Sequence, residues 1–142
     1  MSAPTIAQLR AAVKAKIDAM GLGVTAVEAW LGARRIEEIE QTLVEIVVTG
    51  LRHEPDTKDA AVLNRLVSVI VRKRLAEAGS VAEADAVVQL AETIGRNLLN
   101  GDLSVAADPM ALESEPVLEP GALSEYGVAE AIATVTYVSY GG

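Results

Sequence analysis

Apolar residues fall along this chain in two kinds of rhythm, and the rhythm changes several times. Near the start, Ile6, Leu9, Val13, Ile17 and Met20 recur at steps of three and four, which predicts a helix over residues 4–20 with one apolar stripe. Thr5 and Gln8 have the spacing of a capping box at its N-terminus, and Gly21 and Gly23 end it, since glycine readily takes the left-handed conformation past a helix. Residues 24–31 alternate weakly, Val24, Ala26, Glu28 and Trp30 against Thr25, Val27, Ala29 and Leu31, and predict a strand. From Leu43 the texture becomes dense in β-branched residues, Val44, Ile46, Val47 and Val48, which suit a pleated, buried surface. That run is expected to stop at Gly50, with His53-Glu54-Pro55-Asp56 forming a turn.

Beyond the turn, Val67, Val69 and Val71 take one face at period two, and Ser68, Ile70, Arg72 and Arg74 take the other. A helix across residues 58–78 is the rival, because Ala61, Leu66, Ile70 and Val71 also fit helical spacing. Residues 76–79 read as a turn, and Ser80 with Glu83 repeats the capping-box spacing. A second helix follows over residues 81–99, with Ala84, Val87, Val88, Ala91, Ile94 and Leu98 on one face and Asn100-Gly101 closing it. Residues 102–124 hold three prolines and five acidic residues, with room for a short edge strand at 111–118. The most regular β pattern closes the chain: Ile132, Thr134, Thr136 and Val138 against Ala131, Ala133, Val135 and Tyr137, a strand expected inside the sheet.

The order is helix, three strands, helix, edge piece, strand. Strands joined by short connectors predict an α+β fold: a mainly antiparallel sheet of about four strands with two helices packed on one face. Its 142 residues make one domain, and 51% hydrophobic content supplies a core without disulfides or metals. With no Phe and one Trp, that core must be aliphatic, and base-stacking platforms for nucleic acid lack their rings. The net charge of -8 opposes binding to a phosphate backbone. No apolar run reaches membrane-spanning length and no secretory pattern opens the chain, so no membrane association is expected.

Chemistry-bearing residues are sparse. The absence of Cys excludes a thiolate nucleophile and a Cys-based zinc site, and one His, His53, cannot build a His-rich metal centre. The Gly21-Leu22-Gly23 triplet follows a helix and lacks the lysine of a phosphate loop. Glu37, Glu38 and Glu40 have the look of paired carboxylates, but a solvated segment before a strand explains them as well. Arg72-Lys73-Arg74 is the basic run of mid-chain. It reads either as a solvated strand end or as a partner for phosphate or for a neighbouring subunit's carboxylates. No catalytic residue, metal or cofactor is expected.

Three stretches together carry a likeness: LVEIVVTGLRHEPDTKDA with its lead-in RRIEEIE; VSVIVRKRLAEAGSVAEADAVVQLAETIGRNLL; and ESEPVLEP followed by IATVTYVSY. In element order and texture they resemble the tail-terminator, or tail-completion, proteins of long-tailed bacteriophages. The resemblance implies a non-enzymatic α+β subunit that assembles with itself into a ring, of about six copies, on the end of the tail tube. It implies a tail-tube protein and a head–tail connector protein as partners, genomic DNA passing without specific binding, and a place in the virion after assembly in the host cytoplasm. For such a subunit the candidate interface residues are Arg52, Arg72, Lys73 and Arg74 with Glu37, Glu38 and Glu40. The alternatives are a head-side connector or neck protein, a tail-tube protein, or a small non-enzymatic binding domain.

Overall fold

The computed structural model describes residues 4–24, 26–28, 42–53, 62–75, 81–114 and 127–140. Helix α1 (Ile6–Asp18) and strands β1 (Ala26–Glu28), β2 (Leu43–His53) and β3 (Val62–Arg74) come first. Helix α2 (Val81–Leu99) and strands β4 (Asp108–Ser114) and β5 (Val128–Tyr140) follow. The strands form one sheet in the order β1-β2-β3-β5-β4. All neighbours are antiparallel except β1 and β2, which run parallel. The class is α+β with a mostly antiparallel sheet. It has five strands where pattern reading counted about four, because the edge piece is a strand in its own right.

Residues 62–74 form a strand, and the rival helix is excluded there: thirteen residues of β3 pair with β5 from Val62↔Tyr140 to Arg74↔Val128. β-branched side chains decide the contest, since the VSVIV segment loses rotamer freedom in a helix and packs well on a pleat. The register also sorts the faces. Val67, Val69 and Val71 on β3 stand beside Val135, Ala133 and Ala131 on β5 and beside Val48, Ile46 and Val44 on β2. This is the face that both helices cover.

Each helix brings the stripe its spacing predicts. Leu9, Val13 and Ile17 of α1 and Ala84, Val87, Ala91, Ile94 and Leu98 of α2 join the sheet valines in one core. Ile6, the first member of the α1 stripe, is 46% exposed, because the stripe outruns the core at that end. The capping box is formed in full: the Gln8 amide donates to Thr5 Oγ1 at 3.1 Å and the Thr5 amide to Gln8 Oε1 at 2.9 Å. Gly21 and Gly23 have φ of 68° and 75°, the left-handed region expected of them. The helix α2 comes close to the sheet through Gly95, where a Cβ would stand 3.2 Å from the Ala133 methyl and 3.1 Å from Leu112 Cδ1. The small residues Ala129, Ala131 and Ala133 of β5 keep that side of the sheet low, which is what admits the helix.

Two expectations, the stop at Gly50 and the turn at His53, need correction. β2 does not stop at Gly50: the ladder resumes as Leu51↔Arg65, so Gly50 is the extra residue of a β-bulge and the strand runs on to His53. His53 is therefore the last residue of β2, opposite Leu63, instead of a turn residue. The strand expected at 24–31 is seen at Ala26–Glu28, parallel to β2, pairing Ala26↔Val44 to Glu28↔Ile46, and residues 25 and 29–31 lie outside the described residues. The edge strand is Asp108–Ser114, which overlaps the expected span at 111–114 while residues 115–118 lie outside the described residues, and Pro109 is tolerated because β4 pairs on one side only among the described residues. The capping pair at Ser80 and the turn at 76–79 lie outside the described residues.

Candidate assembly site

The face of the sheet away from the helices carries the charges that strand alternation places there. Glu45 lies on β2, Arg72 on β3 and Glu130 on β5, and Arg72 stands directly opposite Glu130 in the ladder. Glu45 faces Ile70, one diagonal step from Arg72, within reach of a long side chain. Arg72 Nη1 donates to Glu45 Oε1 at 3.0 Å, and Arg72 Nε donates to Glu130 Oε2 at 2.5 Å. The guanidinium fork thus serves two carboxylates with two different nitrogens, geometry a lysine cannot reproduce. Glu45 and Arg72 are buried, at 1% and 7% exposure, and Glu130 is half-buried, on a face that also carries Val47, Ile70 and Val128. Arg72 is accordingly no solvated strand end: its Nε and Nη1 are engaged inside its own chain.

Burial decides what this triad is worth. Desolvating three charges offsets most of their attraction, so the intact triad adds little net stability, whereas removing one member strands the others. Sequence reading picked out Arg72 and missed both acids. Each is a single Glu inside an apolar strand, in LVEIV and VAEAI, and only the register shows that the three residues converge.

Of the other candidate interface residues, those described do not gather around Arg72. Lys73 alternates to the helix-covered side, opposite Ala129, and is partly buried. Arg74 is the last residue of β3, opposite Val128, also partly buried, and has an interaction partner. Arg52 is placed opposite Asn64 towards the far end of the β2–β3 ladder. Glu37, Glu38 and Glu40 lie outside the described residues.

The β4 edge of the sheet is built against casual pairing. β4 holds Pro109, and its register shifts twice, leaving Met110 and Glu113 as unpaired extra residues beside β5. Met110 is 62% exposed at the first of these bulges. A proline and two bulges in seven residues make a poor template for another strand. At the other side of the sheet, β1 pairs with Val44, Glu45 and Ile46 of β2 among the described residues.

Polar contacts elsewhere tie elements together. Asp18 accepts from Lys14 at 2.6 Å and from the Ala26 amide at 3.0 Å, fastening the end of α1 to the start of β1. The lysine bond first, and the amide second, hold its carboxyl below the usual aspartate range. Lys16 reaches the Asp102 carbonyl at 3.0 Å, and Arg65 Nη1 donates to the Pro4 carbonyl. Among the described residues, no group of His, Asp and Glu has an arrangement that would hold a metal ion, and no helix is long and apolar enough to cross a membrane. No protein-family model matches the chain, and no curated protein matches it.

Proposed function

We propose that this chain is a structural virion protein of the tail-terminator type. It forms a ring with copies of itself, about six, at the end of a phage tail tube, stops tube growth and offers the surface that joins tail to head. It is not an enzyme and needs no cofactor. Its partners are the tail-tube protein on one side and the head–tail connector protein on the other, with genomic DNA passing through unbound.

The observation that carries this reading is the architecture: an α+β subunit with both helices on one face of a mainly antiparallel sheet, the fold class that the resemblance implies. The guarded edge β4 supports a closed assembly over an open one. A subunit that continued its sheet into its neighbour would risk unlimited addition, whereas side-chain interfaces of fixed rotation close into rings. The net charge of -8 suits a passage for DNA, since a like charge repels the phosphate backbone and does not hold it.

Electron microscopy of a phage lysate in which this chain is not made tests the proposal. Overlong tubes beside full, unjoined heads are expected. Normal joined particles would overturn the structural reading, and absent tails would move the chain to the tube or its initiator. Native mass spectrometry of the purified chain then reads the ring number directly.

A further inference from the structure

We propose that the face of the sheet away from the helices sets the register of the β3–β5 ladder, with Glu45, Arg72 and Glu130 as its lock. The middle of the helix-covered face discriminates little. Its central rungs are Val67–Val135, Val69–Ala133 and Val71–Ala131, where a slip of two residues exchanges one small apolar pair for another, and only towards its ends do Arg65–Tyr137 and Lys73–Ala129 differ in size and charge. A one-residue slip would turn every side chain to the wrong face and is excluded by burial, but a two-residue slip preserves both faces.

The opposite face distinguishes the registers rung by rung. Each residue stands against a matching partner: Ser68 Oγ and Thr134 Oγ1 share a hydrogen bond at 3.1 Å, Ile70 faces Ile132, and cationic Arg72 faces anionic Glu130. A slip one way sets Ile70 against Glu130, Ser68 against Ile132 and Arg72 against Val128. A slip the other way gives Glu130 to Arg74, but it sets Arg72 against Ile132 and Ile70 against Thr134. Either slip leaves a buried charged group without the partner it has now, and such a group carries the full cost of its desolvation. Glu45 extends the lock to a third strand, because the guanidinium that holds Glu130 on β5 also holds Glu45 on β2. Three strands are therefore aligned by one side chain, which explains charges that contribute little net stability inside an aliphatic sheet.

The chain has no cysteine, so engineered pairs report register cleanly. Ile70→Cys with Ile132→Cys is opposed in the observed register, and Ile70→Cys with Thr134→Cys becomes opposed only after a slip; a disulfide forms only where Cβ atoms lie about 4 Å apart. Each pair is made in the native background and in the background Glu45→Leu, Arg72→Met, Glu130→Leu, then oxidised and mapped by peptide mass spectrometry. In the native background the slipped pair stays reduced. In the apolar background the ratio of slipped to native cross-link rises about tenfold or more, the factor that a cost above about 1.4 kcal/mol for the slip implies. A slipped pair that stays reduced in the apolar background overturns the lock. So does a triple variant that fails to fold, because the triad would then act in stability, where its apolar replacement is expected to be neutral or favourable. The urea midpoint of the triple variant without cysteines, expected at or above that of the parent, separates the two roles.

Discussion

Among the described residues, Tyr137 is the largest side chain buried to within 2% exposure, and its hydroxyl has no hydrogen-bond partner there. An unpaired buried hydroxyl costs about 1 to 3 kcal/mol, so Tyr137→Phe is expected to stabilise the protein by about 1 kcal/mol in urea unfolding. The same burial pushes the Tyr137 pKa well above its ordinary value of 10.0. The folded state thus holds this proton more tightly than the unfolded chain. Its contribution is intact below pH 10 and is lost progressively as the pH rises beyond it, so the gap between Tyr137→Phe and the parent should widen in alkaline unfolding series. Arg72 sits at the other extreme. Arg72→Met leaves buried Glu45 and half-buried Glu130 without their counter-ion and should cost roughly 3 to 5 kcal/mol in the same assay, against a total of about 5 to 15 kcal/mol for a domain of this kind. The contrast with the triple apolar variant is the point: a charge is expensive here only when its partners remain.

At the level of the elements, Gly95 marks where α2 meets the sheet. An added methyl would stand tight against the Ala133 methyl, which cannot turn aside, and against a Leu112 methyl, which can. Gly95→Val should therefore lift the helix and lower stability by about 2 to 3 kcal/mol, measured as a fall in the urea midpoint. Gly95→Ala sets a gain in helix propensity of about 1 kcal/mol against that contact and should come out near neutral. Helices and central strands were legible in the sequence for a physical reason. Leu9, Val13 and Ile17, or Val67, Val69 and Val71, face one core, and the period of the apolar residues reports the geometry of that core. What was not legible is whatever depends on a partner far away in sequence. Gly50 read as a terminator, although a glycine inside a strand equally marks a bulge, and only the ladder with β3 tells the two apart. β1 is held by its pairing with β2 more than by its own residues. The triad escaped notice because Arg72 and Glu130 lie 58 positions apart.

For the whole molecule, the feature with the widest consequence is the order β1-β2-β3-β5-β4, which puts β5 between β3 and β4 after α2 and β4 have been made. The hairpin β2–β3 joins neighbours in the chain, but the rung Ser68–Thr134 closes a separation of 66 residues, and every rung of β3–β5 is of that kind. Closing such separations costs entropy before any contact repays it, so the protein belongs with the slower small folders, in the millisecond-to-second range. Until β5 arrives, one edge of β3 has no strand to complete it, and that edge belongs to the segment VSVIV, rich in β-branched residues and free of charge. A half-made sheet with that margin bare is a target for the wrong neighbour, and at a high rate of synthesis the wrong neighbour is another copy of the same nascent chain. Yield of soluble protein should therefore fall with rate of synthesis, and slower expression at lower temperature should recover it.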